Sequence, residues 1–543
     1  ATPRMHRQNA SSPPDGPPLQ RNIPVTGSAP RPSSRTGRIV AGFTIVASGL
    51  AMVAVLTANA PRQGARADIL ITGGTVITMD SGRRIIEDGA VAIVGDRIAA
   101  VGPTAELRGR YRAAQEIDAR RKIIMPGLID GHGHAGHGLL KTLGTDINEW
   151  NNAAEKMYAR GSTPEFWAAE GQLSALERMQ FGVTTSITLF GGGNDVYRTD
   201  DPRYGEAYLN AVKDVGVRWF LAVGPGRGPF QRTFTDWTGA SPRDVPVTFD
   251  KQMEVSEGLI KKWNGAANGR MKMAVVFPTS NPSESLSTAA LAERKAQART
   301  ARELSKKYGV FFIQDGHTRG TVKFAHEQLN LLGPDAIFSH ATDLTEEEVK
   351  LIALTGTRIS HNPSAIFSIR GRNPTTELID AGAVVMLGSD GSAPDRSYDM
   401  FRHMFQATRY HRFYFRDPNV LPAGKVLEMA TIDAAKALGM EKEIGSLEAG
   451  KKADVILLDW FKPHMVPMNM PVYRVVYFAE GTDVATVIVD GKVLMRDRKV
   501  LTVNEEQILT RAQQQADLAI KRSGLESLTA MPAGFWGKTK LGK

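Results

Sequence analysis

The sequence predicts a (β/α)8 barrel inserted into a small β-sandwich that both chain ends build together. Three observations predict it. Short apolar runs alternate with longer helical stretches through the middle of the chain, turn-punctuated β runs flank that region on both sides, and histidines gather where the apolar runs stop. Alternation of this kind is the pattern of parallel strands joined by helices, and in a barrel the functional groups sit at the carboxyl ends of the strands.

The middle region, 126–444, supplies the barrel. Strand-like runs are Thr184–Leu189, Val217–Val223, Met273–Phe277, Val310–Ile313, Ala336–Phe338, Arg358–Ser360 and Val384–Leu387, and the run ahead of His132 makes eight. Helical stretches include Glu165–Gln180, Thr288–Lys307, Val322–Leu331, Glu346–Leu354 and Thr375–Ala381. An open, doubly wound sheet is the rival architecture, but no glycine-rich dinucleotide loop follows a first strand.

The sandwich is expected from 68–125 and 445–505. On one side lie Asp68–Leu70, Thr75–Met79, Ala90–Val94, Arg97–Val101 and Ile123–Met125; on the other lie Asp454–Leu458, Val472–Tyr477, Val484–Val489 and Lys492–Met495. Neither set alone can bury a core, so the two are expected to combine. Residues 506–543 hold the rest of an amphipathic helix, Glu505–Arg522, and a tail; the helix is expected to pack on the barrel or on a neighbouring subunit.

Residues 1–67 have a different texture. The first 36 are rich in Pro, Ser, Gly and Arg, a composition that favours disorder. Ile39–Leu56 carries no charge, Arg35 and Arg38 precede it, and Ala58-Asn59-Ala60 and Ala65-Arg66-Ala67 follow as small-residue sites. That order is expected of a secretory signal or a membrane anchor, hence of an exported or membrane-anchored protein, with a cytoplasmic location as the alternative.

Charge and cysteine content exclude several classes. The net charge is +10, but residues 1–67 hold eight arginines against Asp15 alone. Seven of those ten charges therefore belong to the leader, and the body lacks a basic stripe for nucleic acid. With no cysteine, disulfides, thiolate metal sites and cysteine nucleophiles are ruled out.

Chemistry is expected around Ile129-Asp130-Gly131-His132-Gly133-His134. In extended backbone, residues two apart point the same way, so the two imidazoles can converge on one ion. The other strand ends contribute Gln314 and His317, His340, His361 and Asp390, and His137 lies just beyond the first pair. Six of the 11 histidines thus fall at strand ends. Helices and loops would share them if placement were random, so a metal site is the better reading.

These residues, with Pro126-Gly127-Leu128, Gly182-Val183-Thr184-Thr185, Ser360-His361-Asn362-Pro363-Ser364, Leu387-Gly388-Ser389-Asp390-Gly391 and Gly445–Asp454, give the chain its resemblance. Over 68–500 it resembles the metal-dependent amidohydrolase superfamily, and most of all the branch of cytosine deaminases, chlorotriazine hydrolases, and phenylurea and molinate hydrolases. The resemblance implies one divalent metal held by His132, His134, a strand-five ligand and Asp390. Zinc is the expected ion, with iron, cobalt and manganese as alternatives. Strand five departs from the branch, which carries a histidine and a glutamate three residues later; here that frame reads Gln314 and His317. His317 is the preferred ligand, because imidazole binds a transition metal better than a neutral amide, and Gln314 is the alternative. Lys272, the candidate bridging lysine, begins its strand and does not end it, which favours a single ion.

The expected reaction is hydrolysis by metal-activated water, with Asp390 moving protons, His340 at the nucleophile or the oxyanion, and His317 as a further catalytic candidate. Because the branch's glutamate is missing, an amide, urea or carbamate-type bond of a small apolar or aromatic molecule is the first reading. Deamination of a heterocyclic ring is the alternative, and a non-catalytic assembly protein of the same fold is a third. His361, Asn362, His137, Trp150 and Arg227 are candidate substrate contacts, together with Trp167 and the aromatic stretch from Tyr398 to Phe415. The expected partner is a small molecule, with no nucleic acid, membrane contact only through the leader, and a homo-oligomeric state.

Overall fold

The computed structural model describes residues 64–540 apart from Ile366, so the expected leader lies outside the described residues except for its last four. Those last residues are part of the folded body. Ala65, Arg66 and Ala67 open a long strand, Ala65–Ile77, and pair in parallel with Tyr111, Arg112 and Ala113. The sheet therefore includes residues ahead of Asp68.

Eight parallel strands form the barrel: Leu128–Asp130, Val183–Leu189, Arg218–Val223, Met271–Val276, Phe311–Gln314, Ala336–Ser339, Arg358–His361 and Val385–Leu387, each beside the next in chain order. We call them barrel strands one to eight. Strands one and eight approach to close the ring, where Gly131 N–H donates to Leu387 C=O at 2.8 Å and Asp390 N–H donates to His132 C=O at 2.9 Å. Barrel strands are covered on both sides, so their sequences run apolar without alternation; all seven residues of strand two are buried. Ile129, Ile187, Leu189, Phe220, Ala222, Val276, Ile313, Ile337 and Met386 belong to one buried cluster that fills the ring. Helices pack outside, and their ends match local chemistry. Pro164–Gln180 starts on Thr163 with proline in its first turn, and Glu346–Thr355 starts on a reciprocal Thr345–Glu348 capping box.

The two chain ends meet where Val455–Asp459 pairs antiparallel with Lys122–Pro126. Hydrogen bonding runs through one continuous nine-stranded mixed sheet, and Ile69, Ile71, Val91, Ile93, Val455 and Leu457 share its core. Three expected strand runs differ. Asp68–Leu70 and Thr75–Met79 are not separate strands: the chain runs on through Gly73-Gly74, where shifts of register and a φ of +83° at Gly73 take up the irregularity. Val472–Tyr477 is not a strand but most of a helix, Pro471–Tyr477. Pro471 lacks the N–H a sheet ladder needs yet suits a first helical turn, and Val475 and Val476 are buried against the barrel's helical layer.

The C-terminal helix, Glu505–Ser523, packs on the barrel. It lies against Pro164–Gln180, and a side chain at Gly161 would come within 2.3 Å of Ser523 Oγ. Among the described residues no helix is long and apolar enough to cross a membrane.

Candidate metal centre

Strand one ends at Asp130, and the next residues place two imidazoles in the barrel mouth. His132 and His134 are buried, edge to face, with ring centres 5.0 Å apart. His134 Nδ1 lies 2.8 Å from Gly191 C=O. A carbonyl only accepts, so Nδ1 carries a proton, and Nε2 is the nitrogen whose lone pair the neutral ring presents. The intervening glycines are needed for space: a Cβ at Gly131 would come within 2.7 Å of Met386, and one at Gly133 within 2.3 Å of Arg178 Nη2.

Three more strand ends converge on those lone pairs. Asp390 Oδ1 lies 3.6 Å from His132 Nε2, 3.2 Å from His134 Nε2 and 3.7 Å from His340 Nε2. Asp315 faces the same nitrogens, with Oδ1 3.1 Å from both His132 and His340 and Oδ2 3.2 Å from His134. Ligand atoms thus gather in two overlapping groups, His132–His340–Asp390 and His132–His134–Asp315. His340 and Asp390 reach inward from left-handed backbone, at φ 64° and 61°, which non-glycine residues adopt at a cost of about 1–3 kcal/mol each. The surroundings hold them there. Asn373 Nδ2 donates to His340 C=O at 2.6 Å, and the strand-one bond anchors Asp390.

Asp315 is the residue the sequence reading passes over. It follows the last residue of strand five, between the two candidates Gln314 and His317. The structure does not bring His317, the preferred strand-five ligand, into either group. Its ring stacks on Phe338 at 4.0 Å, and its Nδ1 lies 3.0 Å from Thr321 Oγ1. Thr321 gives its own proton to Thr318 C=O at 2.7 Å, so His317 Nδ1–H is the donor and Nε2 keeps a lone pair. Burial pushes the pKa of His317 down to about 3, leaving it neutral. Gln314, the alternative, donates from Nε2 to Pro278 C=O at 3.2 Å and keeps a buried Oε1 with no hydrogen-bond partner. Metal analysis should separate the three. Asp315→Asn is expected to lose most bound metal, whereas His317→Ala and Gln314→Ala retain most of it.

Behind the cluster, Asp130 ties strand one to strand eight. Its carboxylate accepts from Ser389 N–H and Oγ–H, both at 2.8 Å, and from Arg178 Nε–H at 2.9 Å. Both partners of the Arg178–Asp130 pair are fully buried, and the guanidinium lies 3.4 Å over the Tyr398 ring. On the far side of the site, Arg396 Nη1 sits 3.3 Å from Asp390 Oδ2, so Asp390 offers one oxygen to the imidazoles and the other to a guanidinium.

The remaining candidates take other places. His137 stacks on His134 at 4.6 Å, and Trp150 meets it edge-on while donating to Leu140 C=O, so both back the cluster. His361 Nε2 lies 3.3 Å from Nε2 of His411, which the sequence reading placed only in an aromatic stretch. Asn362 Oδ1 accepts from Ser360 Oγ–H at 3.0 Å. Arg227 bonds Asp195, Glu284 and Thr279 C=O, clamping loops together. Trp167 is buried, with Nε1–H on Ser162 Oγ. Lys272 is the second residue of strand four, away from its carboxyl end. The aromatic stretch divides: Phe401 is buried in the helix Met400–Phe415, while Phe413 and Tyr414 are exposed at its end.

These donors fit a divalent transition metal. Three imidazoles and two carboxylates are suitable ligands, and His132 Nε2 is buried with no aligned hydrogen-bond partner although carboxylate oxygens stand close by. Burial opposes charge on His134, yet the Asp315 and Asp390 carboxylates push its pKa up to about 10. His132 is shifted the same way, and burial of both carboxylates is outweighed by facing cations that hold them ionised. An imidazolium must lose its proton to become a ligand. Metal binding between pH 6 and 8 is therefore expected to release at least one proton and to weaken about tenfold per proton as the pH falls one unit. Calorimetry in buffers of different ionisation enthalpy reads this directly, and proton-neutral binding contradicts it.

Comparison with known proteins agrees with this geometry. The amidohydrolase family profile matches residues 123–494, and a bacterial imidazolonepropionase-like composite domain matches 89–114. The 5-methylthioadenosine/S-adenosylhomocysteine deaminase of Syntrophobacter fumaroxidans is 30% identical over 451 residues, covering 82% of this chain and 97% of that protein. The 5'-deoxyadenosine deaminase of Methanosarcina mazei is 29% identical, over 84% and 99%. An adenosine deaminase from Xanthomonas campestris, solved with zinc, superposes with a TM-score of 0.72 at 23% identity, over 84% and 100%. Atrazine chlorohydrolase from Arthrobacter aurescens, also with zinc, gives 0.68 at 22%, over 82% and 100%.

The fold and the imidazole–carboxylate centre define a metal-dependent hydrolase of carbon–nitrogen bonds other than peptide bonds. The chain belongs to the amidohydrolase family. Within it, these relatives favour the ring-deaminating alternative over hydrolysis of an amide or urea in an apolar molecule.

Proposed function

We propose that this protein hydrolyses the exocyclic C–N bond of an aminated purine nucleoside, releasing ammonia. The observation that carries the chemistry is Asp390 Oδ1 placed within 3.7 Å of three imidazole Nε2 atoms. The substrate class rests on the relatives named as deaminases of 5-methylthioadenosine, S-adenosylhomocysteine and 5'-deoxyadenosine.

His132, His134 and Asp390, with Asp315 and His340 beside them, are the groups to hold the metal. A bound divalent ion supplies acidification of water and polarisation of the bond under attack. The chain does the rest. Asp390 accepts a proton from the attacking water and delivers it to the departing nitrogen, while Arg396 holds its other oxygen. Of the two protons on the water, one leaves with ammonia and one stays on the ring nitrogen. His340 orients the nucleophile and stabilises developing negative charge. His317, neutral with a buried lone pair on Nε2, is suited to accept a hydrogen bond and is a poor acid.

The test is a product assay with metal-loaded protein on adenosine, 5'-deoxyadenosine and 5-methylthioadenosine, beside a panel of ureas, anilides and carbamates. Ammonia release confined to the nucleosides is the expected result. Organic amine release from the second group overturns the reading.

A further inference from the structure

The turn that follows the two strand-one imidazoles rests on a carboxylate that the proposed chemistry does not use. Glu170, in the helix Pro164–Gln180, is completely buried. Its Oε1 accepts from Gly138 N–H at 3.3 Å and its Oε2 from Leu139 N–H at 3.1 Å, both in the short 3-10 turn His137–Leu140. The cations nearby are committed elsewhere: Lys141 pairs with Glu177 at 2.6 Å and Arg178 with Asp130 at 2.9 Å. The other ionisable groups around Glu170 are the phenols of Tyr158, Tyr208 and Tyr398, none of which brings positive charge.

That turn carries His137 and decides where its ring sits. Glycines on both sides of His137 let the backbone lie close to its supports. A Cβ at Gly138 would meet Glu170 Oε2 at 2.7 Å, and one at Gly136, where φ is +95°, would strike the Tyr158 ring. The imidazole is wedged between Gly192 and Gly391, the residue after Asp390, and a Cβ at either glycine would collide with a ring nitrogen. Both ring nitrogens are buried without a hydrogen-bond partner, so packing and the backbone alone hold the ring. Its face covers His134, with the two rings 4.6 Å apart and 16° from parallel. His134 is thus fixed on its edge by Gly191 C=O and on its face by His137.

We propose that Glu170 is a positioning residue for the metal: its ionised carboxylate holds the turn that seats His137 against the ligand His134. This goes beyond the reaction proposed above, because it concerns the seat of the ion and stands whichever bond the loaded enzyme hydrolyses. Burial pushes the Glu170 pKa up to about 7, against the opposing pull of the Gly138 N–H and of the Lys141 and Arg178 cations. The two N–H donors reach separate oxygens, so a proton on either oxygen replaces a charged acceptor by a hydroxyl and loosens the turn. Above pH 7 the carboxylate is charged, the turn is tight and the ion binds best. Below pH 7 the proton returns, and affinity falls by more than protonation of the ligands alone would take.

The experiment measures Zn²⁺ affinity of the full chain by chelator competition at pH 6 and pH 8. Glutamine keeps the volume of Glu170 but offers one acceptor and turns an NH₂ group toward the second N–H. Glu170→Gln is expected to weaken Zn²⁺ binding about tenfold at pH 8 and less than about threefold at pH 6, where the wild-type residue is itself protonated. A role in folding alone would weaken binding equally at both. His137→Ala should show the same pattern, because the carboxylate then has no ring to seat, and it carries the test if Glu170→Gln fails to fold. The double variant should lose no more than the larger single loss, and His137→Phe, which keeps a stacked ring, should bind as the wild type does. Unchanged affinity at pH 8 overturns the inference, as does equal loss at the two pH values or additive loss in the double variant.

Discussion

Asp390→Asn is expected to lower kcat by a factor of about 10²–10⁴, the usual range for removing a positioned general base. The substitution keeps shape and volume, so Arg396 retains a partner in the amide oxygen and the strand-one hydrogen bond to His132 C=O, made by backbone, is untouched. What disappears is the anionic oxygen that faces three imidazole nitrogens, and with it the group that receives the proton of water. An amide has no lone pair on nitrogen to accept that proton and coordinates a transition metal poorly. KM should change far less than kcat, because the carboxylate acts on the reacting atoms. Steady-state kinetics with metal content measured on the same sample checks this. If metal is retained and kcat falls less than tenfold, Asp390 is not the proton carrier.

The barrel was legible because physics writes it in coarse strokes. Strands buried on both faces need continuous apolar runs, and Val183–Leu189 or Arg218–Val223 can be read directly from that need. The imidazoles at strand ends were legible for the same reason, since each follows a run with a clear end. Asp315 was not: an aspartate before glycine reads as turn chemistry, and nothing local distinguishes a turn carboxylate from one aimed into the barrel mouth. His411 and Arg396 reach the site's surroundings from beyond strand eight, through tertiary placement that carries no periodic signal. Val472–Tyr477 misleads in the opposite direction. Its β-branched and aromatic residues resemble a strand, and only Pro471 hints at the helix.

Arg178→Met is expected to destabilise the protein by about 3–5 kcal/mol, the range for breaking a buried ion pair by removing one partner. Methionine replaces much of the apolar stem but leaves the Asp130 carboxylate buried without its cation. Two hydrogen bonds from Ser389 remain, and they are insufficient for a group that has lost all contact with water. The guanidinium also leaves the face of Tyr398, where it lies 3.4 Å away, and the Trp219 ring at 5.0 Å. Denaturant unfolding reads the loss, and a change below about 1 kcal/mol would show that the pair contributes little. Adding Asp130→Asn to Arg178→Met removes the stranded charge and should recover part of the stability, as expected when desolvation rather than lost attraction dominates. Metal affinity should not recover in parallel. Asp130 accepts the Ser389 N–H immediately before Asp390, so the strut that supports the fold also sets where the metal-facing carboxylate stands.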